Sequence, residues 1–458
     1  MKGENMKKLF GVIMLMLLTA LCAVGASATA PTVWDGTVAT AFAGGTGTES
    51  DPYQIATAEQ LAYLAQSVNS GEPYEGIYFT LTSDIALNDT TGEYWTAFAR
   101  QWTPIGTYDN PFKGNLDGAG HTVTGLYINV NKQQVGLFGV TQNASFKNIG
   151  LIKADITGGR LVGALVGLGY ANMADEAAYV SFLHCYLKDS KVNGNEHLIG
   201  GLVGCVSNGD GDGDYVDTIV FSDCYLSNSI VNAASYAVGG ILGGRGTYGA
   251  TITFVNCSSQ SSRISCNDSY CGGIVGDSFD FLGERSFIIN CYNYCSTITS
   301  SFSAGGIAGY SSGTIVTNCY NTGTVSGNLR VGGIVGNGSG QIKKCYNLGN
   351  IIGTALSATD TSCAFIGGIA GYVVDGTVAE NCYYDKNSVI DTNGVMQNGI
   401  GSSDTSIPTV DIIGQTTALT EAEMHQQASF VGFDFNTIWI MGRGDYPYRD
   451  RLKFCVNQ

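Results

Sequence analysis

Carboxylates, thiols and phenols are the groups in this chain whose types and spacing could do chemistry. Asp210-Gly211-Asp212-Gly213-Asp214 alternates carboxylates with glycines, the way oxygen ligands for Ca²⁺ are often presented. The twelve-residue calcium loop fails at its last position, Phe221, where a bidentate Glu belongs. Calcium is therefore the single cofactor left open, against the simpler reading of a solvated acidic loop. Asp84, Arg100, Asp117 and His121 could converge on an acid–base or lyase site, but Asp117-Gly118-Ala119-Gly120-His121 reads more simply as a glycine turn. None of His121, His184, His197 and His425 begins a His-Glu-x-x-His zinc motif. Arg443-Gly444-Asp445 spells an integrin-type tripeptide inside a segment that reads as a turn before Tyr446-Pro447.

Thiols and phenols recur together. A polar residue followed by cysteine places Cys185, Cys224, Cys257, Cys291, Cys319, Cys345 and Cys382 at intervals of 26 to 39 residues. Tyrosine follows in six copies, as Tyr186, Tyr225, Tyr292, Tyr320, Tyr346 and Tyr383, and Ser258 takes its place once. With cysteine inward, strand alternation sends both its neighbours outward, so the tyrosines are expected to form an exposed aromatic ladder that could grip sugar rings or an apolar patch. The plainer alternative is cross-strand stacking that only stabilises the fold. An Asn ladder at a turn, with Tyr inward, is a further arrangement. The seven cysteines are expected to form a buried thiol ladder, because parallel Cβ vectors keep stacked cysteines beyond disulfide reach. Cys266 and Cys271, off the ladder, could close a short loop.

The elements that must position these groups follow from a second repeat. Gly-Gly-aliphatic-aliphatic-Gly begins at Gly200, Gly239, Gly272, Gly305, Gly332 and Gly367, with a degenerate copy from Gly163 to Gly167. It alternates with the cysteine landmark throughout. Gly332 to Gly353 reads as three short strands per repeat: the pentapeptide, Gln341 to Asn347, and Gly349 to Ile352. The expected fold is all-β, a right-handed parallel β-helix (β-solenoid) with short helical caps, its coils stacking about 4.8 Å apart. The glycines belong at turns or where backbones approach too closely for a Cβ.

These repeats, the Asn-Cys-Tyr-Asn segments at 290 and 318, Phe112-Lys113-Gly114-Asn115-Leu116-Asp117-Gly118 and Gly136-Leu137-Phe138-Gly139 resemble GLUG-motif proteins from about Trp34 to Tyr448. The resemblance implies a secreted or surface-attached bacterial protein and adhesion or display. The same repeats stand beside IgA-specific metallopeptidase domains, whose zinc motif this chain lacks.

Domain organisation is read as a signal peptide over 1–28, an N-terminal cap with first coils over 29–130, repeats over 131–386, a loose linker over 387–419 and a C-terminal cap over 420–458. Met6-Lys7-Lys8, the apolar run Leu9 to Val24 and Ala26-Ser27-Ala28 make the signal layout, with cleavage after Ala28. Leu21 before Cys22 disfavours lipidation. Thr57 to Gln60 and Thr420 to Glu423 are capping boxes, the first opening an amphipathic helix over 58–69. The formal charge of −16 disfavours nucleic acid and anionic membrane as partners. No segment reaches the ~18 apolar residues of a transmembrane helix. The expectation is a monomeric, secreted or cell-surface solenoid that binds a host or microbial surface glycan or protein and is not an enzyme. A polysaccharide lyase or glycoside hydrolase on the same scaffold and a passive envelope spacer are the alternatives.

Overall fold

The computed structural model describes residues 31–171, 179–208, 217–246, 250–279, 285–353, 365–374, 377–390, 398–403, 416–441 and 446–448. The segment read as a signal peptide lies outside the described residues.

One coil shows how the repeat folds. Arg330–Gly332 is a short strand, Gly333 and Ile334 form a corner, and Val335–Lys343 is a long strand. Lys344 then turns the chain at φ 53°, Tyr346–Asn347 is a third strand, and Ile351–Gly353 is a fourth. Each strand pairs in parallel with its counterparts one coil before and one coil after. Among the described residues this builds sheets of 18, 11, nine and seven strands. The unit Val33–Gln458 is a parallel β-solenoid. The coil has four strands where the sequence pattern gave three, because the pentapeptide is not one strand. Its first glycine ends a strand of the seven-stranded sheet, and its last two residues begin a strand of the 18-stranded sheet.

The glycines are required by proximity. A Cβ on Gly201, Gly240, Gly273, Gly306 or Gly333 would overlap the carbonyl oxygen of the matching glycine in the next coil. A Cβ on Gly200, Gly239, Gly272, Gly305, Gly332 or Gly367 would overlap the carbonyl three residues ahead in its own coil. None of these glycines has positive φ. The aliphatic pair points into the core: Ile274, Val275, Ile307, Ala308, Ile334 and Val335 are all 0 % exposed. Interior columns continue from coil to coil, as in Phe146, Phe182, Phe221 and Phe254, whose rings stack at 5.5, 4.7 and 4.9 Å. Some interior columns are polar. Asn293 donates to Asn321 and Asn321 to Asn347, each at 2.7 Å, and Asn321 and Asn347 also bond the backbone of Gly323 and Gly349, so these buried amides are held by one another.

At the N-terminal end, helix α1 (Ala58–Asn69) begins at Thr57, whose side chain accepts from the Gln60 amide. Its Leu61, Leu64 and Val68 enter the main core beside the first strands, Tyr53–Ile55 and Tyr78–Leu81. The region read as a loose linker instead supplies further strands. Val389–Ile390, Ile400–Ser403 and Thr416–Leu419 each extend a sheet of the solenoid. Gly399-Ile400-Gly401 keeps enough of the glycine corner to continue the stack, and Gly401 meets the Ile366 backbone as the earlier glycines meet theirs.

Replacing Gly306 by Ala forces a methyl into the Gly333 carbonyl, whereas a Cβ at Gly92 meets nothing within 4 Å. Urea unfolding should show Gly306→Ala destabilised by about 1–3 kcal/mol, with Gly92→Ala close to the parent chain.

Candidate binding site

The thiol ladder is formed at a corner. The residue before each cysteine adopts the left-handed conformation, from φ 52° at Asn381 to 61° at Asn290, a region that Asn and Asp enter more easily than other non-glycine residues. That corner, not strand alternation, turns the cysteine inward. All seven ladder cysteines are 0 % exposed and free. Thiols of the ladder donate to carbonyls of the preceding coil, as Cys224 does to Phe182 at 3.2 Å and Cys319 to Ile288 at 3.4 Å, while Cys291 donates to Ile289 of its own coil at 3.4 Å. Burial pushes the Cys185, Cys257, Cys291 and Cys345 thiols well up. Cys266 and Cys271 are both buried and free, so the short loop is not closed by a disulfide, and Cys295 is exposed.

The tyrosines do lie on the outer face of the 11-stranded sheet, with the residue after each pointing inward. Tyr186 stacks on Tyr225 at 4.8 Å, and Tyr292, Tyr320 and Tyr346 stack at 5.0 and 5.1 Å. At the Ser258 gap, Gln260 donates to both Ser258 and the Tyr292 hydroxyl. The expectation of a continuous exposed ladder is corrected for half of it. Tyr320, Tyr346 and Tyr383 are 2 %, 1 % and 5 % exposed, because the C-terminal segment folds back along this face. Helix α2 (Glu421–Met424), opened by the Thr420–Glu423 capping box, leads into it. Met424, Phe430, Phe433 and Trp439 then cover the rings, Tyr383 donates to the Val431 carbonyl at 2.9 Å, and Tyr346 donates to the Pro447 carbonyl. The segment read as an end cap is thus a lateral cover. Tyr186, Tyr225 and Tyr292 stay half-buried.

The N-terminal polar residues do not share one catalytic arrangement. Asp84 accepts from the Thr122 amide at 2.8 Å and lies 3.4 Å from His121. Asp117 pairs with Lys147 at 3.2 Å and accepts from Asn148 and Ala119. Burial alone would raise the Asp117 carboxyl, but the hydrogen bonds and Lys147 hold it below the usual range, against the needs of a general acid. Arg100 donates to the Trp34 carbonyl. Asp210, Asp212, Asp214 and Arg443-Gly444-Asp445 lie outside the described residues. Among the described residues no three His, Cys, Asp or Glu side chains are grouped to hold a metal.

A second outer face was missed. The residue two before each pentapeptide and the residue directly after it stand in two columns flanking the glycine corner. Tyr270, Ser303, Arg330 and Phe365 are in register along one column, and Asp277, Tyr310, Asn337 and Tyr372 along the other. The columns touch: Tyr270 stacks on Tyr310 at 4.7 Å, and Phe365 lies 5.3 Å from Tyr372. The Arg330 guanidinium sits 5.0 Å from the Phe302 ring and 4.5 Å from the Tyr372 ring, so it is held between them. Asn337 is 4 % exposed, and its Oδ1 and the Arg330 Nε are buried without a hydrogen-bond partner among the described residues. Burial, and then the negative charge of Asp277, push up the Tyr270 and Tyr310 hydroxyls. In earlier coils the same positions are apolar: Leu168, Leu198, Cys205 and Ala237 form a small cluster apart from the main core. The signal was in the sequence at fixed offsets from each Gly-Gly, where the residue type changes from aliphatic to aromatic and charged between Gly239 and Gly272.

Two outcomes are expected. Trp439→Ala should cost about 3–5 kcal/mol in urea unfolding, since it uncovers Tyr320 and Tyr346. Under native conditions, maleimide labelling read by peptide mass mapping should modify Cys295 and spare the seven ladder cysteines. Because folding raises the thiols of Cys185, Cys257, Cys291 and Cys345, the unfolded chain releases those four protons first, above about 8.5. Stability should therefore fall as pH climbs from there, which thermal unfolding from pH 7 to 10 measures.

Comparison with known proteins adds the family context. A GLUG-motif profile matches residues 300–326, which run from the strand before Gly305 through Cys319 and Tyr320. The chain is 32 % identical over 444 residues to a protein of Evansella cellulosilytica named as a Gly-rich membrane protein, covering 89 % of this chain and 46 % of that one. It is 32 % identical over 175 residues to Halomucin of Haloquadratum walsbyi, covering 37 % of this chain and 2 % of that one. The chain therefore spans less than half the length of each. A Bacteroides ovatus chain described as an immunoglobulin A1 protease aligns at a TM-score of 0.45 and 20 % identity, over 89 % of this chain and 95 % of that one. Residues 300–326 match the GLUG motif, and the same glycine corner, left-handed corner, cysteine and tyrosine recur on both sides of the matched stretch.

Proposed function

We propose that the chain is an exported, surface-displayed scaffold that binds a glycan or a protein, and that the groove flanking the glycine corners is its contact face. The observation that carries this reading is Arg330, whose guanidinium carbon lies 5.0 Å from the Phe302 ring and 4.5 Å from the Tyr372 ring, together with the Oδ1 of Asn337, buried without a partner among the described residues. An aromatic-walled surface with unused polar capacity is how a site joins apolar contact to a few orienting hydrogen bonds. The tyrosine ladder serves this role less well, since half of it is already occupied by the chain's own C-terminal segment. Export is supported by the signal-type layout of Met6 to Ala28, and display by the name of the Evansella relative. The repeat architecture supports an extended contact over a single enclosed cleft.

The test is to apply residues 29–458 to arrays of glycans and extracellular proteins, while assaying the same polysaccharides for new reducing ends or unsaturated products. Saturable binding without products is expected, and Tyr310→Ala should weaken it by about tenfold, a loss of ~1.4 kcal/mol, at nearly unchanged melting temperature. Product formation would replace this reading with a carbohydrate-active enzyme. Absence of both signals would leave a passive spacer.

A further inference from the structure

We propose that the groove takes a carboxylate-bearing saccharide chain, of the uronic-acid type, with Arg330 as the carboxylate contact. The inference rests on the groove being the binding face and adds the chemical class of the ligand.

Charge sets the first constraint. The chain carries a formal −16, so an anionic polymer is repelled from most of its surface and gains only where a cation is fixed in place. Arg330 is such a cation. Its guanidinium carbon lies within 5.0 Å of the Phe302 ring and 4.5 Å of the Tyr372 ring, and its Nε–H is buried without a partner among the described residues. A planar fork of N–H donors matches the two oxygens of a carboxylate, and an ordering cost already met by the Phe302 and Tyr372 rings does not fall on binding. Arg160 and Arg245 lie near Cys205, in the coils where the two columns are apolar. Arg160 acts electrostatically on His197, Tyr236 and Cys205, and Arg245 acts on Cys205.

The remaining groups suit the rest of a sugar. Tyr270 and Tyr310 stack one on the other and supply an aromatic wall for the C–H face of a pyranose ring. Asn337 Oδ1, buried without a partner among the described residues, is an acceptor that a sugar hydroxyl can fill and a second carboxylate cannot. The ligand's carboxylate is thus assigned to Arg330 and one of its hydroxyls to Asn337. Successive coils repeat every ~4.8 Å, close to the advance of one pyranose unit along an extended chain, so neighbouring sugars meet neighbouring coils, each with its own pair of flanking residues.

The experiment titrates residues 29–458, in buffer with chelator, against hexasaccharides of galacturonate, mannuronate and hyaluronan. The methyl ester of the galacturonate oligomer and a neutral β-glucan hexamer serve as controls. At least one acidic oligosaccharide should bind, its ester should bind about tenfold more weakly or worse, and affinity should fall with added salt. Arg330→Lys keeps the charge but loses the fork and should weaken binding by about tenfold. Asn337→Asp places an anion of similar shape beside the ligand's carboxylate and should abolish binding, with circular dichroism and melting temperature checking that the fold is kept. Equal binding of acid and ester, with Arg330→Lys and Asn337→Asp silent, would overturn the carboxylate assignment while leaving a glycan scaffold standing. Failure of all three acidic probes, while the arrays return a neutral glycan or a protein that Tyr310→Ala weakens, would overturn the assignment in the same way. No binding in either format would overturn both readings.

Discussion

At the glycine corner the backbones of adjacent coils come so close that no side-chain carbon fits between them, either toward the next coil or toward the strand just ahead in the same coil. Other features of the solenoid follow from that approach. It brings the seven-stranded and 18-stranded sheets together across a two-residue bend, the second glycine and the first aliphatic residue, and the aliphatic pair points inward. It also holds the flanking side chains of the two strands in facing columns, which is why Tyr270 meets Tyr310 and Arg330 meets Tyr372. A larger residue at the corner would part the strands and dissolve the groove along with the fold.

The second corner works by a different physics. Here one residue per coil accepts a left-handed backbone, and the next, a cysteine, turns inward as a small apolar plug. The cost of the left-handed conformation is modest for Asn and Asp and larger for His184 and Lys344. The following tyrosine starts a new strand with its ring outside. Thus a single tripeptide fixes a bend, fills the core beneath it and decorates the surface above it.

The stacked fold was legible because its two landmarks are periodic and composed of residues with narrow physical roles. The positions of Cys185 to Cys382 in the interior followed from the same periodicity. What the sequence pattern did not disclose were features that depend on partners distant along the chain. Tyr320, Tyr346 and Tyr383 look identical in sequence to Tyr186 and Tyr225, and only the return of Phe430 to Trp439 separates covered rings from half-covered ones. Residues 387–419 seemed a linker because glycine and polar residues mask the three strands they supply to pre-existing sheet edges. The groove escaped because the eye follows the repeat itself. Its variable flanks, where Arg330 and Asn337 replace Leu198 and Cys205, carry the specific information.

Every main strand of the stack pairs in parallel with a neighbour one coil away, so the backbone hydrogen bonds run along the direction of stacking. Tension applied to the two ends would then open the structure like a zipper, one coil's bonds at a time, and not shear many rows together. Such a geometry yields at low force and in steps, each coil releasing its own 26 to 39 residues of chain before the next gives way. The lateral return of Phe430 to Trp439 across Tyr320, Tyr346 and Tyr383 clasps three successive coils to one another, and makes the C-terminal end the side from which unravelling is slowest to begin.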